Sequence, residues 1–325
     1  LTAPSEAVVL DALRAVRDPD LNQDIVALGF VKDLRICGGT VAFAIELTTP
    51  ACPVKDLMKS QAERAVRALA GVNDVAIEMT ARVTASRPVL GNKGVIPGVK
   101  NVLAVSSGKG GVGKSTVAVN LACALQRTGA RVGILDADVY GPNVPLMLGL
   151  KGQPAVDANK KIVPFERHGL QVMSMALLVA DDQPVIWRGP MLHSAVRQFL
   201  FDVAWNDLDY LVVDLPPGTG DAQLSLSQQA HLMGAVIVTT PQDVSVLDVK
   251  KAIRMFQTVN VPILGVVENM AWFTPPGSNE RYLLFGQGGG ASIEREFGVP
   301  LLGQIPIEIE VREGGESGKP IVLAA

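Results

Sequence analysis

Paired cysteines are missing from this chain of 325 residues. It has three cysteines, Cys37, Cys52 and Cys123, spaced too widely for a disulfide framework or for the Cys-x-x-Cys units of a structural zinc site. The plain reading of each is a small buried hydrophobe, above all for Cys123. A surplus of charge is also lacking. Formal net charge is −3, so nothing in the balance points to nucleic acid or an anionic membrane as partner. No apolar run is long enough to span a bilayer, and the N-terminus lacks the basic-then-apolar layout of a signal peptide. The expectation is a cytoplasmic protein without a nucleic-acid or membrane partner. Disorder is excluded by the 48% hydrophobic and 19% charged content. The chain opens on Leu1 and stops at KPIVLAA, and the expectation is that either end, the C-terminal one in particular, is incomplete.

What is present falls into two patterns. Residues 4–17, PSEAVVLDALRAVR, carry apolar residues at helical spacing and end at Asp18-Pro19. VALGFVKDLRI and TVAFAIELT alternate like two strands joined across Cys37-Gly38-Gly39. PVKDLMKSQAERAVRALAGV is an amphipathic helix closed by Gly71, and DVAIEMTARV is a last strand. Residues 1–84 therefore predict a small α+β domain. Residues 85–100, ASRPVLGNKGVIPGVK, are rich in Gly and Pro without periodicity and predict a linker. From 101 to 325 short apolar runs (VLAVSS, RVGILDAD, LQVMSM, YLVVDLP, AVIVTTP, ILGVVEN, LLGQIP) alternate with helical segments such as STVAVNLACALQRTG. That is the pattern of an α/β domain, a mostly parallel sheet flanked by helices, which binds ligands beyond the carboxyl ends of its strands.

The residues after those runs carry the chemistry. Residues 108–115, GKGGVGKS, fit G-x-x-x-x-G-K-[ST] between a strand and a helix, the context of a P-loop NTPase. The loop Gly108, Gly110, Gly111, Val112 and Gly113 turns backbone N–H groups toward phosphate oxygens. Lys114 neutralises β/γ-phosphate charge, the Ser115 hydroxyl suits Mg²⁺, and Thr116 adds a donor at the helix N-terminus. Lys109 is superfluous in an ordinary P-loop. It is either a solvated surface charge or a group that reaches a phosphate across a subunit boundary, as an arginine finger does. Asp136 and Asp138 in LDADVYGP stand where a carboxylate holds Mg²⁺ through water or orients the attacking water. Asp214 in VVDLPPGTGD reads as a Walker B carboxylate. Pro216, Pro217, Gly218 and Gly220 form a turn able to respond to a γ-phosphate. The bland alternative for each aspartate is turn capping.

GKGGVGKS, with its extra lysine, resembles the deviant Walker A ATPases, which include MinD, ParA, nitrogenase iron protein and the Mrp/ApbC iron–sulfur carriers. The resemblance implies a face-to-face homodimer with two ATP molecules at the interface and Lys109 crossing over. It also implies a water-positioning Asp138, an Asp136 closer to the metal, an adenine-contacting Asn269 and, more weakly, a Pro306 in the loop over the base. LDADVYGPNVP, VIWRGPM, YLVVDLPPGTGD, VVENM, FGQGGG and REGGESGKPIV resemble Mrp/ApbC proteins more closely than MinD or ParA. DPDLNQDIVALGFVKDL and LTTPACP look like the small domain associated with iron–sulfur assembly. Cys52 is that domain's characteristic residue, between Pro50 and Pro53 at a helix start where the dipole favours a thiolate.

One departure stands out. Cluster-carrying relatives have Cys-x-x-Cys between the adenine asparagine and F-G-x-G-G-G, and a pair from each subunit bridges a 4Fe–4S cluster. In this chain those positions are Pro275 and Ser278, within an irregular stretch 268–290 too long for an ordinary connection. The expected function is a slowly hydrolysing ATPase that carries or scaffolds iron–sulfur clusters as a homodimer, with assembly proteins and recipient apoproteins as partners. Cluster binding then runs through Cys52, through a partner's ligands, or not at all. The alternative is a cluster-free MinD/ParA-like switch acting as adaptor or positioning protein.

Overall fold

Apolar residues three to four apart fold the first helix and its neighbours onto one small core. The computed structural model describes residues 3–19, 21–85, 94–139, 141–177 and 189–324, and its contacts divide the chain into two units, Leu1–Thr84 and Ala85–Ala325. In the first unit α1 (Glu6–Leu13) buries Val9 and Leu13. It stops short of the expected 4–17 because the chain turns into β1 (Arg17–Asp18), paired antiparallel with β2 (Gln23–Asp24). Strands β3 (Val31–Cys37) and β4 (Thr40–Leu47) form the expected hairpin. Gly38 and Gly39, at φ 58 and 86, supply the left-handed turn that matches strand twist. Residues 26–29 turn instead of extending the strand, since Asp24 Oδ1 accepts from the amides of Val26 and Ala27 at 3.1 and 2.8 Å. Helix α2 (Lys55–Arg67) buries Met58, Ala62 and Val66, one per turn. It crosses over to β5 (Asp74–Ala81), which lies parallel to β4.

The second unit begins with β6 (Val99–Ser107), α3 (Lys114–Arg127), β7 (Val132–Asp136) and the short α4 (Val144–Met147). There follow β8 (Phe165–Arg167), β9 (Leu170–Ser174), α5 (Gly189–Phe201), β10 (Leu208–Asp214) and α6 (Asp221–Gln229). The remainder is β11 (Gly234–Thr239), α7 (Asp243–Thr258), β12 (Ile263–Phe273), α8 (Gly289–Phe297), β13 (Leu301–Ile307) and α9 (Ile309–Glu316). One sheet runs β13-β12-β11-β6-β10-β7-β9-β8. Its neighbours are parallel except the β8–β9 pair. Both faces are covered, as continuous apolar runs demand. Val102 and Ala104 of β6 pack with α5, α6 and α7 residues such as Phe199, Leu226, Val249 and Phe256. Leu103 and Val105 face the opposite way, toward Val117, Ala118 and Ala122 of α3.

Two details differ from the sequence-based expectation, and parts of it lie outside the described residues. Gly94 bridges to Ala230 and Ile96 is buried in the core, so 94–100 packs with the larger unit, while 86–93 of the expected linker lies outside the described residues. Most of VIWRGPM and Tyr140 of LDADVYGP lie outside them as well. The stretch 268–290 is less irregular than its composition suggests. Strand β12 continues through Asn269 to Phe273, and Phe273 then exchanges backbone hydrogen bonds with Tyr282 at 2.9 and 2.8 Å, closing the excursion between them.

Candidate nucleotide site

The carboxyl ends of β6, β10 and β7 lie side by side, and register decides what meets there. Asp214 is level with Val105 on one side and with Asp136 on the other. After Ser107 the chain makes the loop that feeds α3. Gly111 and Gly113 have φ of 79 and 82, the left-handed region open to glycine. A Cβ on Gly113 would stand 2.1 Å from Asn269 Nδ2, and one on Gly108 would stand 2.4 Å from backbone atoms of Asp248 and Val249 in α7. The loop is therefore pressed between two elements, with the N-terminus of α3 beneath it.

Lys114, 6% exposed, donates to Asp214 Oδ1 at 2.7 Å and to Ser115 Oγ at 3.2 Å, and lies 3.7 Å from Asp138 Oδ2. Asp214 is fully buried and its Oδ2 has no hydrogen-bond partner. Burial raises the Asp214 carboxyl above the usual range, more than Lys114 lowers it. Asp136 is also fully buried. Its Oδ1 accepts from the Asp138 amide at 3.1 Å, and its Oδ2 accepts from the Val144 amide at 3.2 Å and the Ser174 hydroxyl at 3.1 Å. Burial first, then the Asp214 charge, push its pKa up to about 7, against the pull of those amides and of Lys114. An unpartnered buried carboxylate oxygen beside a lysine and a serine hydroxyl has the donor set of a hydrated Mg²⁺.

Lys109 is half-buried, and its Nζ donates within the chain to Gln242 Oε1 at 3.2 Å. Ser107 Oγ donates to the Lys109 carbonyl at 2.9 Å. Asn269, 8% exposed, donates from Nδ2 to the Val112 carbonyl at 2.8 Å. Beside it Met270 has φ 56, a left-handed conformation costing a non-glycine residue about 1–3 kcal/mol. Gly113, Thr116, Asn269, Met270, Phe285 and Pro306 line a mostly apolar cavity of about 520 Å³ next to the phosphate loop. The structure thus brings together the loop residues, Lys114, Ser115, Thr116, Asp136, Asp138, Asp214, Asn269 and Pro306.

Pro275 and Ser278 sit in a turn in which the Ser278 amide donates to the Pro275 carbonyl at 3.0 Å. Among the described residues no group of three or more His, Cys, Asp or Glu could hold a metal ion. Cys52, half-buried, packs on the core of the small unit just before α2, and Cys37 is exposed. Cys123 is buried in α3, which pushes its thiol up to about 11.

Other residues of the site were not legible beforehand. Ser174 and Gln242 lie at the exits of β9 and β11, and Gln223 projects from α6 under the turn after Asp214. Glu268 is fully buried, its Oε2 accepting from the Gly290 amide at 2.6 Å and its Oε1 from Gln304 Nε2 at 2.5 Å. The available signal for Glu268 was a carboxylate ending the apolar run ILGVV, with FGQGGG later providing a helix N-terminus to receive it.

A family model described as NUBPL iron-transfer P-loop NTPase matches residues 98–325, and one described as iron–sulfur cluster assembly protein matches 6–79. The chain is 52% identical over 321 residues to an iron–sulfur cluster carrier protein of Synechocystis sp., covering 97% of this chain and 91% of that protein. A protein of the same name from Deinococcus radiodurans is 52% identical over 319 residues, covering 97% and 89%. Among solved structures, a nucleotide-binding protein of Archaeoglobus fulgidus in complex with ADP is similar with a TM-score of 0.61 and 41% identity, over 69% of this chain and 88% of that one. The cell division ATPase MinD of Pyrococcus furiosus shares the fold, with a TM-score of 0.50 at 23% identity over 68% and 89%. The chain belongs to the NUBPL iron-transfer P-loop NTPase family.

Proposed function

We propose that the chain binds ATP with Mg²⁺, hydrolyses it slowly, and as a homodimer uses the nucleotide state to carry or scaffold iron–sulfur clusters for recipient apoproteins. The observation that carries this is the buried Lys114 against Asp214, whose second oxygen lacks a partner, beneath a glycine loop at a helix N-terminus. The relatives' names as iron–sulfur cluster carriers support the cargo.

In this reading Gly108, Gly110, Gly111, Val112 and Gly113 present amides to the phosphates, and Thr116 adds its donor. Lys114 exchanges Asp214 for β/γ-phosphate oxygens. Ser115 and Asp214 would hold Mg²⁺, with Asp136 behind them. When bound, Mg²⁺ would neutralise phosphate charge. Asp138 orients the attacking water. Asn269 commits one amide hydrogen to the Val112 carbonyl, which orients Oδ1 to accept from the adenine amino group, and Pro306 covers the base. Lys109 leaves Gln242 and reaches the nucleotide of the partner subunit. The cargo falls to Cys52, since positions 275 and 278 offer no thiolate. Cys52 supplies only one of the ligands a 4Fe–4S cluster demands, so the recipient or assembly protein supplies the rest.

Turnover and ATP-dependent self-association, measured on the same preparations, test the site. Lys114→Ala should abolish turnover, and Lys109→Ala should lose ATP-dependent dimers while still binding nucleotide. A Lys114→Ala protein that hydrolysed ATP at the wild-type rate would refute the site assignment.

A further inference from the structure

The turn after Asp214 begins with two prolines, which have no amide hydrogen to give. It is tied to β6 at two points, Leu215 N donating to the Val105 carbonyl at 3.0 Å and Gly218 N to the Ser107 carbonyl at 2.8 Å. Pro217 reaches across the phosphate loop, its Cγ 3.8 Å from where a Cβ on Gly110 would stand. The turn's own carbonyls are satisfied from below. Gln223, in the first turn of α6 and 1% exposed, donates from Nε2 to the Pro216 carbonyl at 2.6 Å and to the Gly218 carbonyl at 3.0 Å.

That arrangement is costly. Gln223 Oε1 is buried without a partner, and a buried unsatisfied acceptor costs about 1–3 kcal/mol. The inward side of α6 mixes apolar Ala222 and Leu226 with further polar residues, Ser225 at 6% and Ser227 at 1% exposure, and Ser227 Oγ donates back to the Gln223 carbonyl at 2.8 Å. At the far end of α6, Gln229 Nε2 donates to the His193 carbonyl of α5 at 3.1 Å. A helix needed only for packing would bury an apolar side chain at position 223 and avoid the unpartnered oxygen. A side chain that uses both its hydrogens on one turn fixes where that turn stands relative to the helix.

We propose that Gln223 is a positioning residue of the nucleotide site, clasping the 216–220 turn to α6 so that a displacement of the turn by nucleotide carries α6 with it. The proposal rests on the ATPase reading above. Gln223 touches neither phosphate nor metal, and acts through the turn.

The test is Gln223→Leu in the full chain, which keeps the bulk and removes both hydrogen bonds. Turnover should fall by about tenfold or more while ATP affinity stays within about twofold, the pattern of a contact that matters in the transition state alone. Melting temperature should fall modestly at most, because losing the unpartnered oxygen offsets part of the cost of leaving the Pro216 and Gly218 carbonyls without a donor. Unchanged turnover would overturn the clasp, and so would turnover and ATP affinity falling in parallel, the mark of a purely structural residue. Hydrogen exchange on the wild type gives an independent reading. Adding ATP and Mg²⁺ should change protection at Gly218 and over residues 224–230 together, whereas a change at the turn with α6 unmoved contradicts the proposal. A wild type that neither bound nor turned over ATP would instead sink the site reading itself, and the clasp with it.

Discussion

Asp136 shows how a single side chain can hold a proton near neutrality without any histidine. It has no solvent contact and a second carboxylate at the same level of the sheet, and these outweigh three hydrogen-bond donors. Its folded pKa of about 7 lies above the unfolded carboxylate's value of about 3.9. The folded protein therefore binds the extra proton between these limits, and the stability this contributes is complete below pH about 4 and lost as pH rises through about 7. Asp136→Asn cannot titrate, although its amide mismatches one of the donors. In nucleotide-free protein the melting-temperature gap between wild type and Asp136→Asn should shrink by several degrees across that window, since about 1 kcal/mol moves Tm by about 2–4 °C at this size. A gap independent of pH would mean that Asp136 stays ionised throughout.

At the scale of elements, the phosphate loop depends on α7 as much as on its own glycines. A Cβ on Gly108 would lie 2.4 Å from the backbone of Asp248 and Val249, which cannot yield as a side-chain tip could, whereas the nearest atom to one on Gly110 is 3.8 Å away. Gly108→Ala should weaken ATP binding by more than about tenfold, on the order of 1.4 kcal/mol, and Gly110→Ala should be the milder of the two. Nucleotide titration of the two variants checks this, and equal affinities would show that loop and helix are not in packing contact. This dependence was invisible in the sequence, where GKGGVGKS accounts for its glycines by phosphate binding alone. The seven apolar runs, by contrast, all became strands, because runs such as YLVVD and AVIVT have few other uses at that length. β8 was missed because it has three residues and little burial. α6 was missed because in DAQLSLSQQ the buried apolar Ala222 and Leu226 are interleaved with equally buried Gln223, Ser225 and Ser227, which hides the stripe. The residues gathered around the phosphate loop were nameable from the sequence, and the side chains that brace it were not, since Gln242 and Ser174 are distant in sequence from what they touch and Gln223, although close to the turn, reads as an ordinary polar helix residue.

For the whole molecule, the open matter is the cargo. Anaerobic reconstitution with iron and sulfide, followed by absorbance and iron counting, should give transferable iron in the wild type and lose it in Cys52→Ser. Wild-type protein without bound iron would favour the cluster-free switch. Either outcome leaves the excursion at 274–281 as it is. It is closed by the Phe273–Tyr282 pair, its tip by the bond between Ser278 and Pro275, and its stem by Arg281 over the Trp272 ring at 4.4 Å. All of these contacts come from the polypeptide. Closing this excursion therefore needs no bound metal, and this region should fold alike in iron-poor and iron-rich medium.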